Sequence, residues 1–327
     1  MLAEEERRVF ARTWQLVGRA EQVRDAGQYF TATVGGEPVL VIRGNDGELR
    51  AMSNVCRHRA GPVAKGEGRR PVLQCGYHGW TYALDGRLLN TPEFAGVQCF
   101  ERTEVRLPQF RAEVWHELVF VAIDPAVPSL LDYLGGMVGD MAGRDSTGFR
   151  LAATKEWELD CNWKVYVDNY LEGYHIPIVH PSLFRELDYS KYRTETQRWF
   201  SIQHAPLRRP ERIRGDDEVR YFWLFPNLML NVYADNFSTN LIVPLGPHRT
   251  LTIFEWYFRD PESARASIEE TVAFSDEIQL EDIEICEAVQ RGLKSSTYDA
   301  GRYSPERENG VHHFHALYAE LMDLPKA

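Results

Sequence analysis

The 327-residue sequence has no apolar run long enough to cross a membrane: stretches such as 118–123 and 241–243 fall far short of the roughly 20 residues that a spanning helix needs. Positive charge is also short, with 37 Lys and Arg against 48 Asp and Glu and a formal balance of −11. An acidic surface repels a phosphate backbone, so nucleic acid is excluded as a partner. Cysteine is scarce. Five residues, an odd number spread over a long chain, do not make the disulfide framework of a small secreted domain, so they are free or bind metal. No internal repeat or low-complexity tract occurs. No glycine-rich loop joins a strand to a helix; Gly35-Gly36 falls in a hairpin, the wrong context for cradling NAD or flavin phosphates. The first residues carry acids and arginines where a secretory signal has a basic stub and an apolar run, and the expectation is a cytoplasmic protein.

With 44% hydrophobic and 26% charged residues, the chain has the composition of a globular protein of about two domains. From residue 14 to 123 it alternates short β-type runs with turn signals. Runs 29–34 and 39–43 flank Gly35-Gly36, run 49–54 follows Asn45-Asp46-Gly47, and run 80–84 precedes Asp85-Gly86. Residues 114–123 predict one long buried strand before Pro125. This spacing predicts an all-β first domain. Pro125, Pro128 and Gly135-Gly136 mark a connector. Beyond it, 154–160 alternates as a strand and 163–174 predicts a helix stopped by Pro177. Aromatic and β-branched runs at 221–225, 228–233, 237–243 and 250–258 predict an antiparallel sheet. Residues 261–291 change to helical spacing through Ile268, Val272, Leu280, Ile283 and Ala288, with Gly292 as C-cap, and predict a long helix on that sheet. A short helix is expected over 313–322.

Two constellations carry chemistry. The first is Cys56-Arg57-His58, then sixteen residues, then Cys75-Gly76-Tyr77-His78. Two thiolates and two imidazoles on paired loops of a β domain suit a [2Fe-2S] cluster with cysteines on one iron and histidines on the other. Zinc is the rival metal, but Cys2His2 zinc sites more often pair the cysteines in one knuckle and the histidines in the other. With the flanking text Cys56-Arg57-His58-Arg59-Ala60-Gly61 and Cys75-Gly76-Tyr77-His78-Gly79-Trp80, the segment resembles the Rieske domain. Respiratory-chain Rieske proteins carry an extra cysteine in each loop. Those places hold none here, which points to the oxygenase and ferredoxin branch. Cys99, Cys161 and Cys286 lack such spacing and are expected to be small buried residues.

The second constellation lies in the run 168–180. On a helix Asp168, Glu172 and His175 stand at i, i+4 and i+7, on one face. His175 and His180 are five apart, about 140° from each other on an unbroken helix. Pro177 disfavours helix at Ile176 and is expected to let an extended segment swing His180 back towards His175. Two histidines and one carboxylate on one side of Fe(II), with open positions opposite, suit oxygen activation. The late helix offers Asp276, Glu281, Asp282 and Glu284 for the carboxylate, the alternative for each being a solvated helix face.

The whole chain from Trp14 to His315 resembles Rieske non-heme iron oxygenase alpha subunits. Within them it is similar to the choline monooxygenase-like group, through Asn162-Trp163-Lys164, Asp168-Asn169-Tyr170, 224–227, 286–293 and Gly310-Val311-His312-His313-Phe314-His315. The resemblance implies an α+β chain: an N-terminal all-β Rieske [2Fe-2S] domain over 1–128, then a catalytic domain over 129–327 whose antiparallel sheet wraps around a long C-terminal helix. It implies Cys56, His58, Cys75 and His78 on the cluster, His175, His180 and Asp282 on a mononuclear Fe(II), and Glu172 as an electron bridge between subunits of a head-to-tail homotrimer. Most members have aspartate at the bridge. It also implies a separate NAD(P)H-dependent reductase, with or without a ferredoxin, O2 as co-substrate, and a small quaternary ammonium substrate such as choline, betaine or carnitine. Aromatic faces hold such cations, and Trp223, Phe225, Tyr233, Phe237 and Trp256 are candidates on the predicted sheet. Two other readings stand beside this one: an oxygenase that hydroxylates or O-demethylates an aromatic acid, and a non-enzymatic electron carrier. The carrier has no use for Glu172, His175 and His180. His312, His313 and His315 are expected to pack or to line an entrance.

Overall fold

The computed structural model describes residues 1–141, 148–208, 218–233 and 235–325. It divides into two compact units, Ala3–Leu130 and Leu131–Ala327, the latter joined by the first two residues. Among the described residues no helix is long and apolar enough to cross a membrane.

The first unit is β throughout its middle. A seven-stranded antiparallel sheet runs in the order Gln15–Arg19, Leu118–Ala122, Gln109–Trp115, Leu49–Ser53, Glu37–Arg43, Gln28–Val34, Glu67–Arg69. A second sheet of three short strands, Leu73–Gln74, Thr81–Tyr82 and Leu88–Asn90, lies apart from it. The interior strand Glu37–Arg43 shows why the sheet is covered on both faces. Val39 and Val41 join Phe30, Val119 and Val121 in one core, while Leu40 and Ile42 join Met52, Leu73, Tyr82 and the two cysteines 56 and 75 in the other. Alternate residues of a strand point to opposite faces, so a run of four apolar residues feeds two cores. Gly35 and Gly36 take positive φ, 54° and 78°, as a two-residue hairpin turn demands. The expected single strand over 114–123 is instead two strands with a turn at His116 and Glu117, whose φ values are 48° and 64°. No glycine, proline, asparagine or aspartate marks the place, and Glu117 does not favour that conformation, so the sequence carried no clear turn signal.

The second unit is built on one seven-stranded antiparallel sheet. Its order is Arg150–Leu159, Arg249–Phe258, Asn236–Gly246, Leu228–Val232, Glu218–Leu224, Phe200–Pro206, Arg193–Thr196. The last two strands were not anticipated. A 28-residue helix, Arg265–Gly292, packs on the sheet, and the terminal helix is Asn309–Met322. Gly292 closes the long helix from inside, with Leu293 as its C-cap. Leu280, expected on the apolar face, is 59% exposed, whereas Gln279 beside it is 2% exposed. The buried face is anchored by polar contacts. Gln279 Nε2 donates to Thr252 Oγ1 at 3.1 Å and its carbonyl accepts the Tyr166 hydroxyl, while Gln290 Oε1 accepts Asn162 N–H at 2.7 Å. Positions 279, 282, 286 and 290 are spaced by three, four and four, one face of a helix. The anchors fix the helix's rotation, and that rotation turns Asp282 inward.

Candidate metal centres

The helix that opens the histidine run is shorter than its sequence predicts. Asn162 caps it by accepting Lys164 N–H at 3.1 Å, and it spans Trp163–Tyr170, not 163–174. Asp168 is therefore helical, whereas Glu172 and His175 lie in the turn that follows. Pro177 does not impose an extended segment either. It sits within the first residues of a single helical turn, Ile176–Val179, where its missing N–H has no partner to lose. That turn brings His180 back over His175.

The imidazoles meet edge to face, with 3.1 Å between their Nε2 atoms. Asp282 Oδ1 lies 3.0 Å from His180 Nε2 and 3.9 Å from His175 Nε2. The outer nitrogens are taken. His175 Nδ1 stands 2.6 Å from Glu172 Oε1, and His180 Nδ1 2.7 Å from Glu281 Oε2. A carboxylate accepts only, so each Nδ1 carries the proton and each Nε2 presents a lone pair. Two lone pairs and a carboxylate oxygen then face one point, and they repel unless a cation occupies it. Separations near 3 Å are what two ligands at right angles and about 2.1 Å from a metal have. The donor set thus fits a two-histidine, one-carboxylate iron site, and carboxylates on both outer nitrogens orient the rings and raise their basicity. Without metal, burial disfavours charge on His180, yet the carboxylates of Asp282 and Glu281, accepting from its ring, raise its pKa.

Of the four candidate acids on the long helix, Asp282 joins the histidines. Asp276 pairs with Lys155, and Glu284 is exposed. The role of Glu281 is what sequence reasoning missed: offered there only as a candidate ligand or a solvated residue, it holds the outer nitrogen of His180. The signal was its place beside Asp282, about 100° around the helix and still within reach of the same ring. Asn169 Nδ2 donates to Asp282 Oδ1 at 2.6 Å. Glu172 is held locally as well, its Oε2 accepting the backbone N–H of Tyr174 and, at 3.1 Å, of His175.

In the first unit the two cysteine loops fold alike. Ala60 N–H returns to Cys56 C=O at 3.1 Å and Gly79 N–H to Cys75 C=O at 3.1 Å, and both Ala60 and Gly79 take positive φ. Asn54 pins the first loop, donating to Ala64 C=O and accepting Val63 and Ala64 N–H. Gly61 is required by proximity, since a Cβ there would lie 3.0 Å from Cys75 Sγ. Cys56 and Cys75 are buried; His58 is half-buried and His78 exposed. The sulfurs face the core and the imidazoles face out. The rings of His58 and His78 stand 4.6 Å apart, and His58 stacks on Trp80 at 4.8 Å. His58 Nδ1 is buried with no hydrogen-bond partner, an orphan that an iron ligand would satisfy. Burial, together with the adjoining Cys56 sulfur, pushes the Cys75 thiol pKa up. Tyr82 Oη lies 3.2 Å from Cys56 Sγ and accepts Arg57 N–H at 2.9 Å. These residues fit a [2Fe-2S] cluster bound through two cysteines and two histidines.

Of the remaining cysteines, Cys161 and Cys286 are buried as expected, but Cys99 is exposed, in a loop with φ of 56°. The aromatic candidates also divide. Trp223, Phe225 and Trp256 are sealed in the core, where Trp223 and Phe225 pack against Phe314. Phe237 stacks on Tyr257. Tyr233 instead borders a tyrosine cluster: its hydroxyl bonds that of Tyr221, and Tyr170 and Tyr192 lie close by. Burial raises the pKa of all four phenols.

A cluster edge of two imidazoles on one unit and a two-histidine, one-carboxylate triangle on the other define the class of Rieske non-heme iron oxygenases. The comparisons agree. A family model described as ring hydroxylating alpha subunit (catalytic domain) matches residues 148–324, and one for the Rieske [2Fe-2S] domain matches 13–101. The chain belongs to this ring-hydroxylating alpha-subunit family and carries its [2Fe-2S] and mononuclear iron cofactors. It is 37% identical to chloroplastic choline monooxygenase of Arabidopsis thaliana over 97% of this chain and 79% of that protein. It is 31% identical to the carnitine monooxygenase oxygenase subunit of Escherichia coli (strain K12), over 97% and 89%. A structure of the quaternary ammonium Rieske monooxygenase CntA superposes with a TM-score of 0.87 at 29% identity, covering 98% of this chain and 91% of the other.

Proposed function

We propose that this protein is a Rieske oxygenase that inserts one atom of O2 into a C–H bond beside a quaternary nitrogen, by hydroxylation or by N-demethylation. The observation that carries the oxygenase part is the triangle of His175, His180 and Asp282, backed by Glu172 and Glu281. The substrate class rests on similarity over nearly the whole chain to relatives named for choline and carnitine oxidation. The tyrosine cluster, with Tyr192 buried and Tyr170, Tyr221 and Tyr233 half-buried, adds a physical reason, because neutral phenol rings attract a quaternary cation that forms no hydrogen bond. Tyr170 is on the helix that leads to Glu172, and a Cβ on Gly173 would lie 2.5 Å from the Tyr192 ring, so the cluster adjoins the histidine turn.

In this reading residues 1–128 hold the cluster through Cys56, His58, Cys75 and His78, and residues 129–327 hold the iron. When bound, the iron supplies the site at which O2 is reduced: two electrons and two protons convert one oxygen to water while the other enters the substrate. The chain's part is to orient and deliver. Glu172 holds the His175 ring by its Nδ1 proton and keeps a free acceptor position on Oε1 for a second imidazole. The exposed His78 is its counterpart, so the electron path is His78 to Glu172 to His175. It is completed between copies of a head-to-tail homotrimer, in line with the inter-subunit electron transfer described for CntA. A separate NAD(P)H-dependent reductase, with or without a ferredoxin, refills the cluster.

The test is a single-turnover assay on reduced protein with O2 and choline, glycine betaine, carnitine or a set of aromatic acids. Oxygenated quaternary amine is the expected product. Turnover of an aromatic acid alone refutes the substrate class. With the productive substrate, Glu172→Gln is expected to keep both metals and slow cluster oxidation; an unchanged rate removes Glu172 from the path.

A further inference from the structure

The motif Gly310-Val311-His312-His313-Phe314-His315 has no part in either metal centre, yet one of its histidines is engaged far from its own helix. His315 Nε2 lies 2.8 Å from Asp168 Oδ1, and His315 Nδ1 lies 2.8 Å from the Tyr303 hydroxyl. This is a three-membered chain of tyrosine, histidine and aspartate, with partners 147 and 12 residues away from the histidine. Asp168 is on the last turn of the helix Trp163–Tyr170. The next residue, Asn169, donates to the carboxylate of Asp282, and Glu172 follows just past the helix end. The terminal segment presses on the same place by backbone contact: a Cβ on Gly310 would lie 2.4 Å from Leu171 C=O. Arg307 donates to Tyr192 C=O at 3.2 Å and Asn309 to Thr194 C=O at 2.9 Å, so the segment is fastened on both sides of the turn.

We propose that His315, oriented by Tyr303, is a positioning residue whose grip on Asp168 fixes the end of the Trp163–Tyr170 helix, and through Asn169 the Asp282 carboxylate, in its metal-ready place. This role presupposes the proposed function, in which Asp282 is an iron ligand. Its physical basis is leverage. Tyr170 already anchors the helix end, its carbonyl accepting Gln203 Nε2 at 2.6 Å and its hydroxyl donating to Asn231 Oδ1 at 2.9 Å, and the Asp168–His315 link adds the side-chain tether next to the Asn169–Asp282 bond. Partners one step removed from a metal ligand change affinity by about 10–100-fold when lost. His315 is further removed, so the lower end of that range applies.

The test uses the full chain with its cluster intact and the mononuclear site emptied, titrated with Co(II). His315→Ala is expected to weaken Co(II) binding about tenfold while the cluster absorbance and the thermal midpoint hold. Asp168→Ala should match it, and the double variant should be no worse than either, because two residues acting as one link are non-additive. His315→Gln restores an N–H towards Asp168 and should recover affinity to within about threefold; a residue that only fills space would not be rescued in this way. Co(II) affinity within twofold of native in His315→Ala overturns the proposal, as does a loss that is additive with Asp168→Ala or is not recovered by His315→Gln. The measurement is independent of electron transfer, so it stands whether or not Glu172 proves to be the bridge. Failure of Asp282→Ala to abolish Co(II) binding would instead overturn the ligand assignment beneath it.

Discussion

Replacing Glu281 by glutamine isolates one charge behind the iron site. The amide still accepts the Nδ1 proton of His180 across what is now a 2.7 Å contact, so shape and hydrogen bonding survive and only the negative charge is lost. A hydrogen bond to a charged group contributes about 1.5–3 kcal/mol and a neutral one about 0.5–1.5. The difference, about 1–1.5 kcal/mol, corresponds to about 5–12-fold in metal affinity, with the less basic imidazole as its cause. His180 is 2% exposed, so solvent screens little of this at the ring. The assay is Co(II) or Fe(II) titration of the emptied mononuclear site in protein that retains its cluster. Glu284→Gln on the exposed face of the same helix is the control and should change nothing. Glu281→Ala should cost more than Glu281→Gln, since it leaves a buried N–H unsatisfied. Affinity within twofold of native for Glu281→Gln would refute the reasoning and return Glu281 to the solvated helix face.

Two further outcomes follow from contacts elsewhere. Tyr82→Phe removes the hydroxyl 3.2 Å from Cys56 Sγ and should lower the cluster's reduction potential. One hydrogen bond of about 0.5–1.5 kcal/mol corresponds to about 20–60 mV for a one-electron couple, read by protein-film voltammetry, and an unchanged potential would contradict it. Gly310→Ala places a methyl 2.4 Å from Leu171 C=O and should destabilise the second unit by about 1–3 kcal/mol in thermal melts, unlike an alanine at Gly292, around which nothing lies within 4 Å.

The residues assigned to the two metal centres were legible because their chemistry is written in type and spacing. Paired cysteine–histidine loops and two histidines five apart need no knowledge of packing to be found. The sheet of the second unit was legible in its aromatic and β-branched runs bounded by prolines, although the strands Arg193–Thr196 and Phe200–Pro206 escaped notice. RTET is a largely exposed edge strand with no apolar face to mark it, while the polar Ser201, Gln203 and His204 of the other hide a burial that only neighbouring elements create. The turn at His116 and Glu117 escaped for a related reason: it has none of the usual turn residues, and the pairing of the flanking strands holds it.

By itself the sequence determined the donor atoms: two sulfurs and two imidazoles for one centre, two imidazoles and a choice among four acids for the other. Which acid turns inward was decided by the rotation of the helix Arg265–Gly292, and that rotation is set by Gln279 and Gln290 bonding to groups at least 27 residues away in the chain. The same rotation puts Glu281 behind His180. Local spacing names what can bind, because ligand chemistry belongs to side-chain type. Only long-range packing decides which side chain arrives, because a helix face has no direction until something else in the fold fixes it.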